Sequence, residues 1–266
     1  MESKYCLNCK KELTGKYCSG CGQKADTHRI TFNNFISHDV LHGIFHIEKG
    51  MLFTAKQALI RPGTASLDYI AGKRKPYYNV FLFILLTIGL MLFLKHFYND
   101  LLINQGRPLS NDSINLNQAS KTINNILSQK TKIIIFLFVP FAALNSFILF
   151  NRKKLNLSEH FIIAGMILLG ALILYTIGNI FFYLDLIIEF TNTFTNRVGI
   201  LLTFLIFLYI GYGYYNAFGS DYSTLGFSYR TLFFFMLIFI EMSIMLFITI
   251  GMVTNWEFGE ITISLF

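Results

Sequence analysis

The chain has 266 residues, of which 54% are hydrophobic and 14% are charged, whereas an average soluble domain is roughly 45–50% apolar and about 25% charged. Its mean hydropathy is +0.52. This composition excludes a typical water-soluble globule, and it also excludes a disordered chain, because disorder requires low hydrophobicity. In a membrane protein, the net charge of +7 indicates orientation and contact with anionic lipid before it indicates nucleic acid, which we do not expect as a partner.

All four cysteines lie in the first 21 residues, in the spacing C-x2-C-x8-C-x2-C: Cys6, Cys9, Cys18 and Cys21. Two C-x2-C pairs are typical of a tetrahedral zinc site, because two tight turns can direct four thiolates at one ion. A segment this short cannot bury a hydrophobic core, so the metal would replace the core. We therefore predict that residues 1–29 form a zinc ribbon with structural Zn2+.

Two alternatives to structural zinc remain open, namely two disulfides and a redox or Fe–S site. Disulfides need an oxidising compartment, yet the first 30 residues contain no apolar segment typical of a cleavable signal peptide. A closed four-thiolate site also leaves no position for a substrate. We therefore do not expect catalysis at the cysteines.

Residues 30–76 are predicted to form cytoplasmic amphipathic or juxtamembrane helices. Apolar residues recur at helical spacing from 30 to 47, and His38, His42 and His46 lie in one stripe on the other side. The histidines either form a polar face at the membrane surface or serve as a second metal or pH-sensing site.

Two short helices are expected after residue 50, over 51–59 and 64–71, interrupted by Arg61-Pro62-Gly63 and ended by Gly72. They lead into Lys73, Arg74 and Lys75, which precede tyrosines and a hydrophobic stretch. Cations beside aromatic residues are typical of a membrane boundary, so we predict that these three residues contact lipid headgroups.

Residues 77–266 are predicted to form an all-α polytopic membrane domain with about five transmembrane helices, near 79–97, 133–150, 161–182, 198–217 and 232–254. Of the 22 Lys and Arg residues, 16 lie in the segment before the first span and in the loops on the same side. Because positively charged loops remain in the cytoplasm, the amino terminus is predicted to be cytoplasmic and the carboxyl terminus extracytoplasmic.

Glu241 is the main polar residue that needs explanation inside the spans. A carboxylate at the centre of a span is costly and usually faces the protein interior. It either makes one interhelical hydrogen bond or has a role with a proton or substrate, and Asn145 and Asn179 are candidate partners at plausible depths, with Tyr175 near them. The tyrosine-rich run 209–215 indicates an interfacial belt or a cradle for a lipid or isoprenoid tail.

Several short motifs together resemble one protein family: Cys6-x2-Cys9, Gly15-Lys16-Tyr17-Cys18-x2-Cys21-Gly22-Gln23, Arg61-Pro62-Gly63, and Tyr69-x2-Gly72-Lys73-Arg74. The resemblance is to an uncharacterised family of bacterial inner-membrane proteins, a domain of unknown function with an amino-terminal zinc ribbon. It implies a location in the inner membrane, but no activity. Two positions depart from the family pattern, with Lys10 in place of Gly and Val80 in place of Pro. The five-span plan is also distantly similar in architecture to Yip1-like proteins.

Two functional hypotheses follow, and we expect an enzyme less than either, because no catalytic motif is present. In the first, the ribbon is a cytoplasmic docking or regulatory module for a protein partner, anchored in the lipid bilayer by the spans. In the second, the spans form a carrier or lipid-handling core around Glu241. The sequence leaves the substrate and the oligomeric state open.

Overall fold

The computed structural model describes residues 5–25, 50–106, 137–254 and 256. Within these residues it is helical, and extended pairing is limited to two isolated bridges in residues 5–25. The helices are α1 (Gly50–Ile60), α2 (Pro62–Ile70), α3 (Val80–Asn104), α4 (Leu137–Leu149), α5 (Leu157–Phe181), α6 (Asp185–Ile188), α7 (Asn192–Phe218) and α8 (Thr224–Thr254). A 3-10 turn, Phe182–Leu184, joins α5 to α6.

Four helices, α3, α5 with its continuation, α7 and α8, are long and apolar enough to cross a membrane. They lie at four of the five positions where spans are expected. At the remaining position the described part is α4, an apolar helix shorter than a crossing requires, and residues 133–136 lie outside the described residues. The structure therefore supports a membrane protein with four candidate spans, and the expected count of five is not established.

Side-chain caps determine where several of these helices begin. The Asn79 side chain accepts hydrogen bonds from the backbone N–H groups of residues 81 and 82 at the start of α3. At the start of α5, Asn156 and Glu159 form a reciprocal capping box. The capped polar turn of α5 begins that helix four residues before the apolar span predicted at 161–182, whereas α3 begins within one residue of its predicted start.

Helix α5 lies at the centre of the bundle and packs against α1, α2, α3 and α7. In its most apolar window 67% of the residues are buried, against 6% for α8. The exposed apolar surface of α8 is what a lipid-facing helix requires. The centre of the membrane domain is therefore α5.

Helices α1 and α2 form a helical hairpin that packs against α5, and α2 also packs against α7. A Cβ placed on Gly50, at the start of α1, would lie 2.8 Å from the Pro76 carbonyl oxygen, and the Tyr69 ring near the end of α2 lies 5.9 Å from the Tyr77 ring. The last turn of α1 packs against the middle of α5, because a Cβ on Gly170 would lie 2.5 Å from the Ala58 carbonyl oxygen. Gly170 lies about 20 Å along α5 from its first residue at 1.5 Å per residue. The sequence predicts two short helices here, but it does not predict that they pack inside the bundle.

Candidate functional site

Residues 5–25, which we call the four-cysteine module, bring their four sulfur atoms within 4.8 Å of one another. The Cys6 and Cys21 sulfurs are 3.6 Å apart, and those of Cys9 and Cys18 are 3.4 Å apart. All four cysteines are free thiols, and these distances exceed the roughly 2.05 Å of a disulfide. The module could therefore hold a metal ion.

The module consists of two turns with the same hydrogen-bond pattern. In the first turn, the backbone N–H of Lys10 donates to the carbonyl of Cys6, and the N–H of Cys6 donates to the carbonyl of Lys11. The second turn repeats both bonds from Cys18, with Gly22 and Gln23 in the equivalent places. Two C-x2-C segments thus form two equivalent loops that point their sulfurs at one another.

The residue after the second cysteine of each turn has a left-handed backbone, with φ of 63° at Lys10 and 71° at Gly22. Glycine adopts this conformation without penalty, whereas a residue with a Cβ does not. This explains in physical terms why the family resemblance leads one to expect glycine at position 10, where this chain has Lys10. The first turn carries backbone strain that the second avoids.

Hydrogen bonds within the module favour thiolates at two of the cysteines. Backbone N–H groups of Cys21 and then Gly20 donate to the Cys18 sulfur, and they lower the pKa of Cys18 to about 6. The side chain of Asn8 does the same for Cys21 and lowers its pKa. The backbone of Lys11 lowers the pKa of Cys9, but the nearby sulfurs and burial outweigh it and raise that pKa to about 12. Four crowded sulfurs can all be thiolates only when a cation offsets their charge, as a bound metal does.

The four-cysteine module docks on the loop between α2 and α3 through one buried side chain. The Gln23 side-chain nitrogen donates to the Gly72 carbonyl at 2.6 Å, and its oxygen accepts from the Lys75 backbone N–H at 3.3 Å. Gly72 has φ of 96°, and a Cβ there would lie 2.5 Å from Leu7 Cδ1. This contact joins two of the motif segments identified in the sequence, and it needs glycine at position 72.

Helix α7 supplies the hydrogen bonds that are lost where α1 breaks into α2. Pro62 has no N–H, so the Ala58 carbonyl has no donor from its own helix. The Tyr209 hydroxyl donates to that carbonyl. One turn further along α7, the Tyr212 hydroxyl donates to the Ile60 carbonyl at 2.7 Å. Two tyrosines of the run 209–215, which the sequence predicts as a belt or cradle, thus have a structural role at the helix break.

The first turn of α2 lies directly on α7. The Asn216 side-chain oxygen accepts from the Thr64 backbone N–H at 2.8 Å. A Cβ on Gly63 would lie 2.3 Å from the Ala217 nitrogen and 2.5 Å from the Gly213 carbonyl oxygen. The Arg61-Pro62-Gly63 motif is therefore a close contact between the helix break and α7.

The three cations expected at the lipid headgroups have different surroundings. The Lys73 ammonium lies 2.7 Å from an Asp68 carboxylate oxygen. The Arg74 guanidinium lies 5.4 Å from the centre of the Tyr69 ring, and its Nε donates to the Tyr69 carbonyl. Lys75 is exposed and flanks the four-cysteine module at Gly22. Lys73, Arg74 and Lys75 all lie in the loop between α2 and α3. Their contact with lipid headgroups remains a prediction.

Glu241 in α8 meets Asn145 in α4. The Asn145 side-chain nitrogen donates to the Glu241 carboxylate at 2.9 Å, and Asn145 is buried. The other candidate partner, Asn179, instead donates to the Tyr175 carbonyl in its own helix. The structure thus pairs Glu241 with one of the two asparagines considered from the sequence.

A second buried polar contact, next to Asn145, was not found from the sequence. The Ser146 hydroxyl lies 2.8 Å from Nδ1 of His160, and both residues are fully buried. Nε2 of His160 has no hydrogen-bond partner among the described residues. The signal in the sequence is weak, because His160 lies in the polar first turn of α5, where hydropathy does not indicate a buried side chain.

His38, His42 and His46, predicted as a polar face or a second metal or pH site, lie outside the described residues. The amphipathic helix predicted over 30–47 also lies there. The described groups of close metal-ligating side chains are limited to the four cysteines. The histidine prediction therefore remains a prediction.

Comparison with known proteins gives one family match. A family described as a protein of unknown function (DUF3667) matches residues 48–92, about a sixth of the chain. The matched segment contains α1, α2, the loop on which the four-cysteine module docks, and the first half of α3. No curated protein and no solved structure is significantly similar to the chain. The match supports the resemblance to an uncharacterised family and provides no activity.

Proposed function

We propose that the chain is an integral membrane protein whose four-cysteine module is a zinc-bound, cytoplasmic docking and regulatory module. One observation carries this proposal: Gln23 hydrogen-bonds the module to Gly72 and Lys75, at the entrance to the first candidate span. A module held in this way can transmit a change at its surface to the membrane helices. A flexible tether could not do so.

The donor set supports zinc as the metal. Four thiolates about 2.3 Å from a tetrahedral zinc ion lie about 3.8 Å from one another, and the measured sulfur pairs are 3.4 and 3.6 Å apart. A segment of this size depends on its metal for folding. Zinc would therefore stabilise the surface that docks on Gly72.

The proposed topology has five crossings, with residues 133–150 as the additional one. Two loops at one end of the bundle contact each other, which supports this arrangement: Lys153, after α4, lies 2.9 Å from Asp221, before α8. In the same place Arg152 and Arg230 lie 4.5 and 4.4 Å from the centre of the Tyr222 ring. By the positive-inside rule this cationic end, with the amino terminus, faces the cytoplasm of a bacterial inner membrane, and the carboxyl terminus lies outside.

A chain of contacts links the module to the interior of the bundle. Gln23 holds the loop at Gly72, the loop follows α2 directly, and α2 rests on α7 through Gly63 and Asn216. Occupancy of the module by a protein partner would thus bias the position of α2. This is the physical basis for calling the module regulatory.

A photo-crosslinking residue at Tyr17 tests the docking role. Tyr17 is 65% exposed on the module, and Phe93 on α3, which is also 65% exposed, is the matched control. We expect a defined protein to crosslink at position 17 and not at position 93. We further expect Cys18→Ser to abolish the crosslink while the protein still inserts in the membrane.

Three results separate the possibilities. A crosslink at position 17 that persists in Cys18→Ser would contradict a metal-dependent docking surface. Identical products at positions 17 and 93 would show unspecific capture and would also contradict it. Loss of the crosslink in Cys18→Ser with normal membrane insertion supports the proposal.

A second candidate function is a carrier or lipid-handling protein that uses Glu241. The observation in its favour is the Asn145–Glu241 hydrogen bond between candidate helices of the membrane domain, since an intramembrane carboxylate with a polar partner often marks a pathway. Glu241→Gln keeps the hydrogen bond and removes the acid. Normal transport or lipid phenotype in cells with this variant would contradict the carrier.

A further inference from the structure

Asp68 holds two cations side by side on α2 and its following loop. One carboxylate oxygen lies 2.7 Å from the Lys73 ammonium, and the other lies 3.5 Å from a terminal nitrogen of the Arg61 guanidinium. The Arg61 Nε also donates to the Gln57 side chain. Arg61 lies at the helix break and its side chain reaches along α2 to Asp68, so its charge lies beside that of Lys73.

The trio of Arg61, Asp68 and Lys73 carries a net positive charge, and its two cationic side chains are partly exposed. One carboxylate faces two cations, which leaves a net charge of about +1 at ordinary pH. The side chains of Arg61 and Lys73 are 45% and 42% exposed. A guanidinium has five N–H donors and an ammonium has three, so the contacts described above leave donors for an anion.

The surface beside this trio is apolar. Ile60, next to Arg61 in the chain, is 57% exposed. The Tyr212 side chain, whose hydroxyl donates to Ile60, is 43% exposed. Cations beside exposed apolar side chains match an amphiphile, which has an anionic headgroup next to a hydrocarbon tail.

We propose that Arg61 and Lys73, positioned by Asp68, bind the phosphate of an anionic phospholipid in the cytoplasmic leaflet. The acyl chains of that lipid lie along Ile60 and Tyr212. The site is therefore a specific headgroup site, and it relies on Arg61, which lies outside the cluster 73–75. Lys73 also lies in the loop on which the four-cysteine module docks, so lipid bound there would contact the regulatory path, which rests on the proposed function.

The test uses native mass spectrometry of the full-length protein. The protein is purified in mixed micelles containing equal amounts of phosphatidylglycerol and phosphatidylcholine, and the ratio of the two lipids retained is measured. Each cation near an anionic lipid contributes about fivefold in affinity. The double variant Arg61→Gln/Lys73→Gln should therefore lose about 25-fold of the preference for phosphatidylglycerol.

The control Lys16→Gln/Lys95→Gln removes the same charge at two exposed sites elsewhere and should retain the preference. If the first double variant does not fold, Lys73→Gln alone should lose about fivefold. Retention equal to that of the control in whichever variant folds would overturn the proposal. Displacement of phosphatidylglycerol from the wild-type protein by excess inorganic phosphate would also overturn it, because the site would then recognise free phosphate.

Discussion

Replacing Gly63 by alanine tests the close packing of the helix break on α7. The new Cβ would lie 2.3 Å from the Ala217 nitrogen and 2.5 Å from the Gly213 carbonyl oxygen. Both are backbone atoms, so no side-chain rotation can relieve the clash, and α2 must move away by about 1 Å to restore ordinary contact. Such overpacking costs about 1–3 kcal/mol, and the movement also weakens the hydrogen bond from Thr64 to Asn216, which is worth about 1 kcal/mol.

The expected loss in the free energy of unfolding is therefore about 2–4 kcal/mol. Gly89→Ala is the matched control, because Gly89 lies within α3 and a Cβ there meets nothing within 4 Å. Alanine in an open helical position stabilises by up to about 1 kcal/mol. The assay is thermal unfolding of both variants in detergent at one scan rate. A midpoint for Gly63→Ala equal to or above that of Gly89→Ala would refute the packing.

Three further predictions use the same unfolding assay or metal titration. Lys10→Gly should raise the stability of the metal-bound module by about 1 kcal/mol, because it relieves a left-handed backbone, and an unchanged metal affinity and stability would contradict the strain. Tyr209→Phe should lower the free energy of unfolding by about 1–3 kcal/mol, because it leaves the buried Ala58 carbonyl without a donor. The control Tyr215→Phe, at a half-exposed position, should cost almost nothing. Equal costs for the two variants would exclude the role of Tyr209 at the helix break. Glu241→Leu should lower the free energy of unfolding by about 1–3 kcal/mol, because it leaves the buried Asn145 amide unpaired. Glu241→Gln should be nearly neutral. Equal stability of the two variants would show that the Asn145–Glu241 pair contributes nothing.

The sequence predicts well those features that depend on local chemistry. Apolar length predicts the candidate spans, and C-x2-C spacing predicts the close cysteines, because each depends on a few neighbouring residues. The break at Pro62 is local for the same reason, since proline removes its own N–H. The predicted helix limits differ from the observed ones mainly at polar, capped ends such as Asn156, where hydropathy gives no signal.

Contacts between distant segments could not be predicted in this way. The hydrogen bond from Gln23 to Gly72 joins residues 49 positions apart, and nothing in either segment specifies its partner. The fit of Tyr209 to the Ala58 carbonyl likewise depends on how α7 lies against α1 in three dimensions. Asn145 could be considered for Glu241 because both are polar at similar depth, but Asn179 satisfied the same criterion and is bonded elsewhere. Which of the two asparagines bonds Glu241 is decided by the packing of the helices in three dimensions.

Hydrogen–deuterium exchange with and without metal tests most directly whether the four-cysteine module is coupled to the membrane helices. When a chelator removes the metal, we expect faster exchange in the module and also across residues 62–76, with α8 unchanged as an internal control. Gln23→Ala should reproduce the change at residues 62–76 while the module keeps its metal. Unchanged exchange at residues 62–76 after metal removal, with faster exchange inside the module, would show two independent parts and contradict the account.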